Sequence, residues 1–174
     1  TTVNPAMEAF ARQLRAESED DTLGFLHVLM TQVNEHMAFD EDPTNSGTSA
    51  IEAFGLKRGV CQDYAHIFIA CARSGGVPAR FVSGHFLRSD GTVNQAAGHA
   101  WAEAHVPGLG WVGFDPANCI CTTEAHARVA IGLDYLGAAP VRGTRYGGGA
   151  ETLTVSVKVD QAGRPGQSQW QSQS

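Results

Sequence analysis

The sequence predicts an α+β fold in which helices come first and a run of antiparallel strands follows. Three observations carry that prediction. Apolar residues recur every three or four positions through the first third and again after Cys61; the period changes to two between Ala79 and Asp115; and the alternating part is punctuated by the turns SDG and PGLG. A chain of 174 residues suits one domain with a real core, because chains of this size bury about two-thirds of their unfolded surface. We assign residues 1–160 to that single domain. The tail 161–174, QAGRPGQSQWQSQS, has too little apolar content to pack and is expected to be disordered.

The elements follow in order. Asn4 before Pro5 fits an N-cap with proline at the first helical position, and Phe10 and Leu14 then keep helical spacing. A second helix starts near Asp21-Thr22 and carries Leu23, Leu26, Met30, Val33 and Met37 on its apolar row. FDEDPTNSGT, residues 39–48, is loop by composition, and Ser49-Ala50-Ile51-Glu52 matches a capping box opening a short helix that ends near Gly55. After Cys61, the residues Ala65, Phe68 and Ala72, flanked by Ile69 and Cys71, predict a helix stopped by Gly75-Gly76 and Pro78. Strands are expected in ARFVSGHFL, HAWAEAHV and WVGFD, and in TLTVSVKV (152–159), where Leu153, Val155, Val157 and Val159 share a face. No internal repeat is found, and GGG at 147–149 reads as a flexible connection rather than a phosphate loop.

Charge and composition narrow the function. The formal net charge is −6 and the basic residues form no run, so nucleic acid is not an expected partner. No stretch approaches the roughly 18 to 20 consecutive apolar residues of a membrane span, and TTVNPAMEAFARQL lacks a signal peptide's pattern. No membrane partner is expected, and the chain is read as cytoplasmic. Four cysteines are too few for a disulfide scaffold, so free thiols are expected. Cys119-Ile-Cys121 with nearby His126 offers a zinc reading, but its spacer is shorter than metal sites use, and two small apolar residues are the preferred account. No metal site is assigned.

Cys61 is the residue with chemistry. A cysteine at a helix N-terminus meets unpaired backbone N–H groups and the positive end of the helix dipole, which favour the thiolate. A nucleophilic thiol also needs a base, and the base an orienting group. His99, heading a strand behind Ala96, Ala97 and Gly98, is the candidate base; Asp115, at a strand end before Pro116, is the candidate orienter. The bland reading is kept for Cys71, placed inside the helix, and for His27, His36, His66, His105 and His126 as satisfied surface or turn residues.

GVCQDYAHIFIACARSGGVPARFVSGHF, GHAWAE and GWVGFDPAN resemble the bacterial branch of the transglutaminase-like superfamily, whose members are often described as cysteine proteases. The resemblance covers nearly the whole chain except the tail. It implies the papain-like, transglutaminase-core arrangement, a cysteine-bearing helix packed on an antiparallel sheet. It assigns the nucleophile to Cys61, the histidine to His99 and the aspartate to Asp115. Gln62, His85 and Trp101 are the candidates for the substrate cleft. His85 stands where the family usually has an aromatic, and Ala117 where threonine is common. A β-rich domain ahead of this region is the family's usual partner. The implied activity is thiol-dependent acyl transfer at peptide or side-chain amides of a protein or peptide substrate, as a protease, an amidase or a transglutaminase. No cofactor is implied, and no calcium loop occurs in the sequence. The alternative is a non-catalytic peptide-binding or scaffolding domain on the same fold.

Strand parity adds a geometric expectation. A regular four-residue hairpin with Val106 opposite Trp111 would put His99 and Asp115 on opposite faces of the sheet. A working triad therefore predicts an odd-length loop or a bulge between Ala104 and Gly110.

Overall fold

Helix starts are set locally. The computed structural model describes residues 2–95, 97–139 and 156–160. Helix α1 (Pro5–Glu17) is capped by Asn4, whose side chain accepts from the Met7 N–H at 2.9 Å, and α2 (Thr22–His36) by Asp21, which accepts from Gly24 N–H at 2.9 Å. A two-residue strand β1 (Ala38–Phe39) leads into the loop before α3 (Ala50–Leu56). The Ser49 hydroxyl accepts from the Glu52 N–H while the Glu52 carboxylate accepts from the Ser49 N–H at 2.8 Å, the reciprocal pair of a capping box. Lys57 ends α3 in the left-handed region, and β2 (Arg58–Gly59) pairs in parallel with β1.

Helix α4 (Cys61–Ser74) is buried without a break from Asp63 to Ala72. A helix apolar on all sides belongs at the centre of a domain. On its flanks lie α1, α2 and α3, and on its other side the sheet. The remaining elements are β3 (Ala79–Phe86), β4 (Asn94–Gln95), β5 (His99–Val106), β6 (Gly110–Asp115), β7 (Ile120–Cys121), β8 (His126–Gly132), α5 (Tyr135–Ala138) and β9 (Val157–Lys158). Five of the strands form one antiparallel sheet in the order β7-β6-β5-β3-β8. Ala100, Ala102 and Ala104 of β5 are buried in the core with Phe81 and Phe114, and the Phe68 ring of α4 stacks on Phe114 at 5.3 Å. Alanines at alternate positions keep that face of β5 shallow, so a helix can lie close to it. The α+β class is the one the sequence predicted, with the cysteine-bearing helix packed on the antiparallel sheet as expected.

Two departures matter. The strand β8, left without an element in the sequence reading, closes the sheet beside β3, and a bulge between Ser83 and Gly84 adjusts its register. A Cβ at Gly84 would collide with the Ala127 carbonyl oxygen and the Trp101 ring, so only glycine allows this crossing. The second concerns TLTVSVKV: among the described residues only Val157–Lys158 pairs, with β4, while Leu153, Val155, the GGG segment and the tail 161–174 lie outside the described residues.

The expected odd-length connection is present. Val106 pairs with Gly110 across the loop Pro107-Gly108-Leu109, and Gly108 and Gly110 supply its positive φ angles of 82° and 80°. The register Ala102 to Phe114 then brings odd-numbered residues of β5 and β6 to one face. His99 and Asp115 share that face diagonally, since continuing the register sets Asp115 opposite Trp101.

Candidate active site

Cys61 is the first residue of α4 and is half-buried. What holds it there is Asp63, which is almost wholly buried and turns its carboxylate back on the chain. Its Oδ2 accepts from the Val60 N–H at 2.8 Å and from the Thr44 hydroxyl at 2.7 Å. Gly59 presses on the same carboxylate, with no room for a side chain. Burial pushes the Asp63 acid above its ordinary value, and the bonds from Thr44 and Val60 offset only part of that. Thr44 thereby ties the 40–49 loop to the first turn of the cysteine helix.

His99 opens β5, and its Nε2 lies 2.6 Å from Asp115 Oδ2. Asp115 ends β6 fully buried. A buried carboxylate persists only where it is well supplied with donors. Asn118 gives it two, the side-chain amide to Oδ2 at 2.7 Å and the backbone N–H to Oδ1 at 3.2 Å. The turn behind it is fastened to α2, because the Asn34 amide donates to the carbonyls of Pro116 and Ala117 at 2.8 and 3.1 Å. Cys61, after Asp115, is among the groups that favour a charged His99 ring. With Nε2 committed to Asp115, the nitrogen left for sulfur is Nδ1.

The electrostatics follow from these contacts. Burial works against a charged His99, but its bonds to Asp115 and Cys61 and the charges of both outweigh that and push it up to about 10. Burial likewise opposes ionised Asp115, yet donors from His126, His99 and Asn118 hold it well below the usual carboxylate range. These contacts favour the imidazolium form of the ring. A cation in that position stabilises negative charge on sulfur.

Comparison with known proteins now decides the family. The sequence profile described as transglutaminase-like superfamily matches residues 8–116, a span that contains Cys61, His99 and Asp115. The chain belongs to the transglutaminase-like superfamily. An uncharacterised protein of Mycobacterium leprae is 38% identical over 122 residues, covering 65% of this chain and 43% of that protein. One from Mycobacterium tuberculosis is 31% identical over 144 residues, covering 78% of this chain and 46% of the relative. The chain thus spans less than half the length of these curated relatives. Among solved structures, a candidate cysteine protease from Cytophaga hutchinsonii superposes with a TM-score of 0.70 at 22% identity, over 92% of this chain and 53% of that one. The periplasmic domain of TgpA from Pseudomonas aeruginosa superposes at 0.54 with 29% identity, over 67% and 43%. No helix among the described residues of this superfamily member is long and apolar enough to cross a membrane.

His126, read from the sequence as a satisfied surface or turn residue, is satisfied within its own turn and also lies against Asp115. His126, the first residue of β8, directs its Nε2 to Asp115 Oδ2 at 3.2 Å, and its side chain is 1% exposed. It reaches that oxygen because β8 pairs with β3, setting His126 opposite Phe86. The available sequence signal was the alternation of Val129 and Ile131 after a turn at Thr123, which marks a strand beginning near His126. Asn118, also unassigned from sequence, follows an Asp-Pro pair, a turn signal in its own right.

The other candidates divide. Trp101 is buried, its ring edge-on to His126 at 5.3 Å and 6.0 Å from His99, so it forms a wall behind the pair rather than open cleft surface. His85 is half-buried with its Nδ1 enclosed and without a hydrogen-bond partner. Gln62 faces the 40–49 loop, its amide 3.5 Å from the Asn45 carbonyl. Cys119 lies 3.9 Å from the Thr31 hydroxyl while both His126 nitrogens are engaged elsewhere, so Cys119, Cys121 and His126 do not form a ligand set. Cys71 is buried inside α4, and burial pushes its thiol up to about 12, the behaviour of a packing residue.

Proposed function

We propose that this chain catalyses thiol-dependent acyl transfer at amides of a protein or peptide substrate through Cys61, His99 and Asp115. The observation that carries the reading is one imidazole held by a buried carboxylate at 2.6 Å, with the thiol at the start of α4 among the groups that favour its charged form. Cys61 Sγ attacks the amide carbonyl carbon, and the carbonyl electron pair moves onto oxygen. The oxyanion meets the Cys61 backbone N–H, which at the first helical position has no intrahelical acceptor. Collapse breaks the C–N bond, and His99 passes its proton to the departing amine or ammonia. Water or a primary amine then attacks the thioester on Cys61, His99 takes its proton, and the thiolate leaves. Asp115 keeps the ring oriented throughout and stabilises its charged form before acylation and after deacylation.

Gln62 and His85 are offered as cleft residues on the same terms. We place the activity in the cytoplasm, a reading that the four free thiols are in keeping with. A β-rich domain in the longer protein is part of the same proposal, in keeping with relatives of which this chain covers 43% and 46%.

The test is alkylation of Cys61 by iodoacetamide across pH, read by peptide mass, in wild type, Cys61→Ala and His99→Ala. Fast reaction at or below neutral pH that slows without His99 supports the reading; an ordinary thiol rate indifferent to His99 refutes it. A glutamine-containing peptide, incubated with and without a primary amine, then separates backbone cleavage, ammonia release and amine incorporation.

A further inference from the structure

The carboxylate oxygen that holds His99 also holds a second imidazole, and the hydrogen bonds around that ring specify its proton. His126 Nδ1 accepts from the Thr123 backbone N–H at 3.1 Å. An amide nitrogen can only donate, so Nδ1 is unprotonated, His126 is neutral, and its proton sits on Nε2, pointing at Asp115 Oδ2. The ring is preset by its own turn, in which the His126 N–H returns to the Thr123 carbonyl at 3.0 Å. Phe86 at 4.6 Å and Trp101 at 5.3 Å enclose it.

The same fact bears on a metal. His99, Asp115 and His126 place ligand atoms within 4.8 Å of one another, a spacing a cation could use. A histidine that coordinates through Nε2 normally donates its Nδ1 proton to an acceptor. Here Nδ1 faces a donor, so the Nε2 lone pair is not free. The donor set suits a hydrogen-bonded carboxylate better than a metal centre.

We propose that His126 is a positioning residue for the triad, a neutral imidazole whose Nε2–H holds the Asp115 carboxylate in place for His99. This rests on the reading of Cys61, His99 and Asp115 given above. The titratable groups facing Asp115 are His99 from β5 and His126 from β8, with Cys61 of α4 reached through His99; Asn118 supplies the uncharged donors. Removing the His126 N–H leaves Asp115 easier to protonate and freer to rotate. His99 then loses its orientation toward sulfur and, as pH falls, its charge partner sooner.

The experiment compares Cys61 alkylation across pH in wild type, His126→Phe and His126→Gln, with thermal melting of each. Phenylalanine keeps most of the volume without the donor, whereas glutamine keeps an amide N–H. In His126→Phe the alkylation rate at neutral pH falls about tenfold, the scale of one charge-assisted hydrogen bond, and its low-pH limb moves up. His126→Gln recovers most of the rate and the limb. If wild-type Cys61 is reactive but His126→Phe retains its rate and limb, the proposal alone is overturned. It is overturned equally if both variants lose rate in step with melting temperature and glutamine restores nothing. If wild-type Cys61 itself behaves as an ordinary thiol, the triad reading falls first and this proposal with it.

Discussion

Replacing Asp115 with asparagine removes one negative charge and leaves nearly the same shape. In the wild type the ring of His99 is pushed up to about 10, burial opposing its charge while Asp115 and Cys61 sustain it. A histidine with that pKa is more than about 99% protonated at pH 7.5, whereas at the ordinary 6.5 it would be only about 10% protonated. Asp115→Asn withdraws both the strongest hydrogen bond to the charged form and its opposing charge, and burial remains. The midpoint of His99 should therefore fall by about 2 units or more, with Cys61 still favouring the charge, so that the ring titrates near neutral pH instead of far above it. The assay is an NMR titration of the His99 ring, assigned by its loss in His99→Ala, paired with the alkylation profile of Cys61. Retention of the wild-type midpoint in Asp115→Asn would refute the argument that this carboxylate keeps the ring charged.

Two further outcomes follow from other parts of the fold. Gly84→Ala should cost about 1–3 kcal/mol in urea unfolding, since the new Cβ meets a backbone carbonyl and the Trp101 ring at once, and unchanged stability would show that the crossing relaxes freely. His66 accepts the Tyr135 N–H at 3.1 Å and, because burial disfavours its charge, is pushed down from 6.5 to about 4. A depressed histidine contributes stability that is complete above 6.5 and lost as pH falls toward about 4, up to about 3 kcal/mol here. Urea unfolding of wild type and His66→Gln from about pH 7.5 to about pH 4.5 should converge as pH falls; parallel curves would count against a neutral His66.

How much of this was legible depends on the range of the interactions. Asn4, Asp21 and Ser49 cap their helices through bonds spanning three residues, so each could be read from its neighbours. The shared face of His99 and Asp115 was legible as a condition, because strand parity and loop length are properties of one hairpin. The pairing of His126 with Phe86 is different. It joins residues forty positions apart across a bulge that only Gly84 permits, and no local pattern states which strand will lie beside β3. That Trp101 is buried with its ring edge-on to His126 was hidden for the same reason, since it depends on where β8 lies.

The sequence by itself determined the class of fold, the starts of the helices, the placing of Cys61 at a helix N-terminus and the residue types able to serve it. These rest on backbone hydrogen bonds and apolar periodicity within one or two turns or strands. Only the tertiary structure decided that Asp115 is fully buried, that Asn118 and Asn34 hold its turn, and that His126 shares its oxygen with His99. Each of those depends on which strand or helix packs beside which, and the charge on His99 depends in turn on all of them.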